Sequence, residues 1–394
     1  MESYPPISII SIFLFFLTSS YWSPLPCSVV ATSLSSCHFP AIFNFGDSNS
    51  DTGGLSAVFG QAPPPHGESY FHHPAGRYCD GRLIIDFIAE SLGLPYLSAY
   101  LDSVGSNFRH GANFATAGST IRLQNTTLTQ SGFSPISLNF QWNEFYQFHN
   151  RSQIFRQKGG IYKKLLPKAG DFARALYTFD IGQNDLTSGY FLNMSTTEVR
   201  AYVPEVLSQF KDIVSYVYGQ GGRNFWIHNT GPFGCLAYVL DRIPLLASEI
   251  DRAGCGIPLN QVAKYYNHGL KKVVTQLRKE LPEAAITYVD IYSLKYSLFS
   301  QARKFGFNES LRACCGHGGK YNYNKNIGCG GYITKGGRQV LVGKACEDPS
   351  VWINWDGVHF TQAANKWMFE NIKDGSFSDP PIPLNMACHR HPLH

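Results

Sequence analysis

The sequence predicts an α/β protein with a mostly parallel central sheet. Two patterns predict it. Short apolar runs stop at glycine or at small polar residues, and amphipathic segments of helical period separate those runs. An apolar run that ends at Gly and continues in small polar residues is how such a sheet presents side chains at the carboxyl ends of its strands.

The first run is Ala41-Ile42-Phe43-Asn44-Phe45, and Gly46 stops it. Asp47-Ser48-Asn49-Ser50-Asp51-Thr52-Gly53-Gly54 follows, which places the Ser48 hydroxyl just beyond a strand. Residues 63–82 are irregular and rich in Pro, Gly, His and Tyr; His66, His72 and His73 there read as surface histidines, not metal ligands. Leu83, Ile84, Phe87, Ile88 and Leu92 have helical spacing, and Gly93 is a stop. Residues 108–119 form a second strand-to-glycine segment, ending in Gly118-Ser119. Residues 138–148 read as a helix with Phe140, Phe145 and Phe148 towards the core.

A third strand over residues 175–181 runs into Gly182-Gln183-Asn184-Asp185. Thr197 can cap a helix to about residue 218, with Gly219 after it. Residues 224–229 give a fourth strand, closed by Gly231-Pro232. Residues 260–281 form an amphipathic helix on Val262, Tyr265, Tyr266, Leu270, Val273, Val274 and Leu277. Residues 285–289 are a fifth strand, and Thr361 can cap a last helix to about residue 372. The expected organisation is a leader of residues 1–31, one domain over residues 38–376, and a Pro-rich tail over residues 377–394.

Of 394 residues, 44% are hydrophobic and 15% charged, enough apolar material for a large core. The net charge of +5 is not gathered into a basic run, which argues against a nucleic-acid partner. Residues 7–17 are apolar but too short to span a bilayer, and Val29-Val30-Ala31 offers small residues for cleavage after Ala31. This is a secretory signal pattern, although no Lys or Arg precedes the run. No later stretch resembles a membrane span. Asn125, Asn150, Asn193 and Asn308 each begin an Asn-x-Ser/Thr sequon and are the expected glycosylation sites. Of ten cysteines, cleavage removes Cys27 and leaves nine, so pairing within the chain leaves one over. Cys314, Cys315, Cys329 and Cys346 lack the Cys-x-x-Cys arms of a zinc site, and no metal is expected.

An activated serine needs a base, a group that orients the base, and donors for an oxyanion. Asp356 and His359 lie three apart, so one tight turn can set the carboxylate against the imidazole. The Ser48 N–H, the Gly118 N–H and the Asn184 amide are the available donors. No Gly-x-Ser-x-Gly elbow occurs in the chain.

These residues resemble a known family. Phe45-Gly46-Asp47-Ser48, Gly111-Ala112-Asn113-Phe114-Ala115 with Gly118-Ser119, Gly182-Gln183-Asn184-Asp185 and Asp356-Gly357-Val358-His359 are similar, in this order, to the four blocks of the GDSL esterases/lipases of the SGNH hydrolase superfamily. Asn49 stands where the family name has Leu, which is not a catalytic position. The resemblance implies a flavodoxin-like three-layer sandwich with a central five-stranded parallel sheet. It implies Ser48 as nucleophile, His359 as base, Asp356 as its orienter, and Ser48 N–H, Gly118 and Asn184 as the oxyanion hole. No cofactor is implied. Residues 71–77 and 79–87 resemble segments of secreted plant members, which include acetylesterases of cell-wall polysaccharides and glycosides. A glycosidase is discounted, because the carboxylate pair it needs is not identifiable.

The expectation is therefore a secreted, monomeric serine esterase of the apoplast or cell wall. It would remove short acyl groups, acetyl foremost, from a polysaccharide or glycoside. Tyr70, Phe71 and Tyr78 offer aromatic faces for sugar. The rivals are an acyltransferase with the same triad, a lipase on longer acyl esters, and a non-catalytic carbohydrate-binding protein.

Overall fold

Five of the apolar runs become strands β1 (Ile42–Gly46), β2 (Gly111–Asn113), β3 (Leu176–Asp180), β4 (Asn224–His228) and β5 (Ala285–Val289) in a computed structural model, which describes residues 35–124 and 133–390. They pair in parallel in the order β2-β1-β3-β4-β5, the flavodoxin-like order. Every residue of β1, β4 and β5 is buried, so both faces of the sheet are covered and both faces of each strand are predominantly apolar.

The rest of the strands lie later in the chain. β6 (Glu309–Ala313) pairs in parallel with β9 (Trp352–Asn354), and β7 (Tyr332–Lys335) makes an antiparallel hairpin with β8 (Arg338–Leu341). β10 (Ser378–Asp379) adds to the edge of β5 antiparallel. The sheet is thus six-stranded among the described residues: the five expected parallel strands and one short antiparallel edge. Two polar residues carry no apolar pattern, so sequence gave no sign of β10. The segment after residue 376 is packed as well: Cys388 is bonded to Cys37, ahead of β1.

Helices fill the connections: α1 (Gly54–Phe59), α2 (Ile84–Ser91), α3 (Leu138–Gln157), α4 (Gln183–Phe191), α5 (Thr196–Gly219), α6 (Ile257–Glu280), α7 (Ile291–Ser300) and α8 (Gln362–Ile372). α3, α5 and α6 pack together in one group, and α2, α7 and α8 in another. Phe43 of β1 stacks on Phe172 at 5.0 Å and meets Phe145 and Phe148 of α3 edge-on, while Phe45 stacks on Phe179 at 4.9 Å. Such pairs contribute about 0.5–1.5 kcal/mol each beyond the area they bury.

Local expectations change in three places. α5 is capped by Ser195, not Thr197: the Glu198 N–H donates to Ser195 Oγ, and the Ser195 N–H donates to Glu198 Oε2 at 2.8 Å. The reciprocal carboxylate decides among three consecutive hydroxyl residues, Ser195, Thr196 and Thr197. In α3, Phe145 and Phe148 are buried but Phe140 is 48% exposed. Phe145 lies five positions after Phe140, which puts them far apart around a helix, and the buried stripe takes Leu138 and Gln141 instead. His66 is buried, not a surface residue, whereas His72 and His73 are exposed.

Four disulfides form: Cys37–Cys388, Cys235–Cys255, Cys314–Cys346 and Cys315–Cys329. Cys79 is free and buried. Of the sequons, Asn193 and Asn308 are exposed and Asn150 is half-buried on α3. Asn125, Cys27 and the leader of residues 1–31 lie outside the described residues. Among the described residues, no helix is long and apolar enough to cross a membrane.

Candidate active site

Because β1, β2 and β3 are parallel, the loops carrying Ser48, Gly118 and Asn184 leave the same edge of the sheet. Gly46 ends β1 against β3. A Cβ there would stand 2.6 Å from the Asp180 carbonyl oxygen, so the position requires glycine. Gln141 of α3 clamps the same residue: its Oε1 accepts the Gly46 N–H at 2.9 Å, and its Nε2 donates to the Gly46 carbonyl at 2.7 Å.

A polar ladder crosses the three strands two residues below Gly46. Asn44 is in register with Asn113 and Thr178. Its Nδ2 donates to Asn113 Oδ1 at 2.7 Å, and its Oδ1 accepts from Thr178 Oγ1 at 2.7 Å. Asn113 Nδ2 donates to the Ser50 carbonyl at 2.6 Å, which holds the loop beyond Ser48. Asp51 finishes that loop. Its carboxylate accepts the N–H groups of Gly53, Gly54 and Leu55, and that of Ala117 at 2.7 Å. Burial pushes the Asp51 carboxyl up, and these four donors oppose the shift. The Ser48 loop and the Gly118 loop are thereby one hydrogen-bonded piece.

Neither the Ser48 N–H nor the Gly118 N–H donates to any group among the described residues. Gly118 has φ +77°, a left-handed conformation natural to glycine. Asn184 lies in the first turn of α4, where sequence reading had placed it at a strand end. Its Nδ2 donates to the Ser119 carbonyl at 2.9 Å, which orients the amide, and lies 3.5 Å from Asp47 Oδ2. Next to it, Asp185 accepts the N–H groups of Ile121 and Arg122 at 2.8 and 2.9 Å. Burial pushes this carboxyl up to about 6 against those two donors.

Asp356 and His359 belong to a tight turn after β9, in the small β6–β9 pair and not in the main sheet. Gly357 sits at φ +101° with no room for a Cβ, which would stand 2.4 Å from the Tyr323 ring. The turn lets Asp356 Oδ1 accept the N–H groups of Val358 and His359, both at 2.9 Å, while Oδ2 meets His359 Nδ1 at 2.6 Å. Burial alone would raise the Asp356 carboxyl, but the charge and hydrogen bond of His359, and then His66, hold it well below the usual carboxylate range. An ionised carboxylate only accepts, so Nδ1 carries the proton and Nε2 of a neutral His359 is a free base. That Nε2 is buried and has no hydrogen-bond partner. Such bonds tighten in many enzymes only once substrate is bound.

Ser48, Tyr78, Gly118, Asn184 and His359 line one cavity of about 260 Å³. Phe191, Arg242 and Tyr323 form its outer wall and also line a larger cleft of about 590 Å³. Asn193, Asp241, Asn324, Lys325 and Asn326 make that cleft polar. Of the three loop aromatics, only Tyr78 reaches the cavity. The Arg82 guanidinium covers the Tyr70 ring and the Arg77 guanidinium the Phe71 ring. The cavity lining offers one imidazole and no carboxylate, which is not a set of metal ligands. Sequence reading missed Gln141, Asn113, Asp51 and Asp185 as supports, since their partners lie up to 95 residues away. Position after a strand was the one signal available for Asp51 and Asp185.

A serine and three candidate oxyanion donors at one edge of a parallel α/β sheet, with an Asp-paired His brought to the same cavity from a separate small sheet, is the arrangement of a serine hydrolase. Residues 42–372 match the sequence family described as GDSL-like Lipase/Acylhydrolase. A GDSL esterase/lipase of Arabidopsis thaliana is 62% identical over 355 residues, covering 90% of this chain and 93% of the relative. An alpha-L-fucosidase 3 of Arabidopsis thaliana is 63% identical over 360 residues, covering 91% and 95%. An esterase of Hevea brasiliensis is 56% identical over 363 residues, covering 92% of each chain. The chain belongs to the GDSL-like lipase/acylhydrolase family and is a serine hydrolase of esters.

Proposed function

We propose that the protein is a secreted esterase that removes short acyl groups, acetyl foremost, from the alcohol of a cell-wall polysaccharide or glycoside. The observation that carries the reading is the shape at Ser48. The Ser48 cavity, about 260 Å³, lies below the range usual for drug-sized ligands, and it shares Phe191, Arg242 and Tyr323 with a polar cleft of about 590 Å³ suited to a carbohydrate alcohol. The four disulfides support an oxidising, extracellular compartment.

In this reading Ser48 Oγ attacks the ester carbonyl carbon while its proton passes to His359 Nε2. Asp356 holds the ring and stabilises the imidazolium. The N–H groups of Ser48 and Gly118 and the Asn184 amide take the charge forming on the carbonyl oxygen. The alcohol leaves with the proton from His359, and the acyl group stays on Ser48 Oγ. Water then attacks the acyl carbon as His359 takes its proton, the bond to Ser48 Oγ breaks as that proton passes to Oγ, and the acid leaves.

Glycoside hydrolysis is the second reading, because one relative is named a fucosidase. It requires two carboxyl groups flanking the bond. The cavity is lined by none, and Asp356 is committed to His359.

The test is a substrate series on purified protein. Rates on p-nitrophenyl esters should fall steeply from acetate to octanoate, and acetylated xylan or a related glycan should release acetate. The Ser48→Ala variant should lose activity by several powers of ten and no longer react with an organophosphate probe. Faster turnover of octanoate than of acetate would replace this reading with a lipase. Release of p-nitrophenol from its fucoside, lost in the same variant, would replace it with a glycosidase.

A further inference from the structure

We propose that His66 is a second histidine of the site, a positioning residue that holds the far side of the Asp356 carboxylate and shares its charge with His359. The inference rests on the Ser48–His359–Asp356 reading of the site.

His66 is 4% exposed, on a loop otherwise rich in exposed polar residues. Its Nδ1 lies 2.8 Å from the Pro63 carbonyl oxygen. A carbonyl can only accept, so Nδ1 carries a proton. The other nitrogen, Nε2, lies 3.7 Å from Asp356 Oδ2, is buried, and has no hydrogen-bond partner. Oδ2 is the same atom that receives His359 Nδ1. Two imidazoles therefore flank one carboxylate oxygen, and Nε2 of His66 has nothing else to bond.

The protonation states follow from that geometry. With Nδ1 bonded to Pro63, a neutral His66 would turn a lone pair towards an ionised carboxylate, which is repulsive. The imidazolium form turns an N–H towards it, which is attractive. The ring is also fixed from its sides: Trp355 stands edge-on at 5.8 Å and Tyr78 at 6.0 Å, and Tyr78 lies tilted against His359 at 5.4 Å. The titratable and charged groups facing this pair are Asp356 and His359 from the turn after β9, Tyr78 from its own loop with Asp51 behind it, Tyr323 from the excursion between β6 and β7 with Asp241 near it, and Arg242, which lines the same cavity as His359. Burial pushes both tyrosine hydroxyls up, so they stay neutral from acid to neutral pH. Asp51 is saturated by backbone donors. His66 and His359 are then the two imidazoles that face this one carboxylate oxygen, while burial and then the Asp180 charge push the Asp47 carboxyl, beside Ser48, up to about 7.

A cation on His66 opposes a second cation on His359. In the free enzyme it keeps His359 neutral, and hence a competent base, to a lower pH. Replacing His66 by a neutral residue makes His359 easier to protonate. The acid limb of the kcat/KM profile then moves to higher pH.

The experiment measures kcat/KM for p-nitrophenyl acetate from pH 4.5 to 9 in the wild type, His66→Gln and His66→Asn, with folding checked by circular dichroism and thermal melting. The acid limb should rise by about 0.5–1 unit in both variants, while kcat above pH 8 changes less than tenfold. A uniform loss at all pH values, with the limb unmoved in folded variants, would make His66 merely structural and overturn the proposal. Imidazole 15N spectra of the wild type and of Ser48→Ala decide the matter if the variants do not fold. The proposal expects a proton on His66 Nε2 at pH 5 and two mutually dependent titrations. A His66 Nε2 unprotonated throughout pH 5–8 overturns it. Full activity in Ser48→Ala would instead sink the triad reading, and the spectra of that variant report on the histidine pair regardless.

Discussion

Asn184, the candidate side-chain donor to an oxyanion, has its amide oriented by the fold. The Ser119 carbonyl takes one amide hydrogen at 2.9 Å and so fixes which way the group faces. The second hydrogen has only the Asp47 contact at 3.5 Å, which a developing oxyanion can displace. Asn184→Ala should lower kcat by about 10²–10³ with little change in KM, since the donor acts on charge present only in the transition state. An effect confined to KM would place Asn184 in substrate binding. Ser48, Asp356 and His359 were legible in the sequence because a hydroxyl past a strand, and a carboxylate three residues before an imidazole, are local patterns. His66 was not. Its loop reads as surface, and its burial depends on Trp355 and Asp356, some 290 residues further on.

α3 is the element whose sequence pattern was most misleading, because its buried stripe is partly polar. Gln141 is fully buried in place of the neighbouring Phe140, and its two bonds to Gly46 satisfy its amide there. Glu144 lies one turn further along with its Oε2 buried and unpartnered. Burial pushes its carboxyl up to about 8, above the unfolded value near 4.5. The folded chain thus holds a proton there that the unfolded chain releases. That contribution to stability is fully present below about pH 4.5 and is lost as pH rises through about 8. Glu144→Gln keeps the neutral form at every pH. Thermal or urea unfolding should therefore show a gain of about 1–3 kcal/mol at pH 9 and almost none at pH 4. A gain equal at both pH values would mean that Glu144 is ionised in the folded protein. Strands were easier to read than this helix, since a run buried on both faces is mostly apolar and stops sharply at Gly or a small polar residue.

At the scale of the molecule, the two ends of the described chain are tied together. Cys37 and Cys388 are 351 residues apart in sequence and bonded in the structure, and the Cys37 N–H donates to the Asn385 carbonyl at 2.7 Å. A bond closing so long a loop restricts the unfolded chain strongly. The paired Cys37→Ser and Cys388→Ser replacement should destabilise the protein by about 2–4 kcal/mol. Calorimetry should show a melting temperature lower by several degrees. Activity on p-nitrophenyl acetate at 25 °C should persist, because Cys37 precedes β1 while Ser48 follows it, at the opposite edge of the sheet. Loss of activity in a folded variant would show that the tail supports the site.

Sequence by itself determined the α/β class, the five parallel strands, most of the helices, and the residue types at Ser48, Gly118, Asn184, Asp356 and His359. Those features rest on periodicity, on glycine stops and on short spacings, all of which act within a few residues. Tertiary structure alone decided the antiparallel edge strand β10, the cysteine pairing, the Gln141 clamp, the Asn44–Asn113–Thr178 ladder and the burial of His66. Each of these joins groups that no local pattern connects. Hydrogen bonds and burial depend on distance in space, and the order of strands in the sheet is what brings residues 44, 113 and 178 into one row.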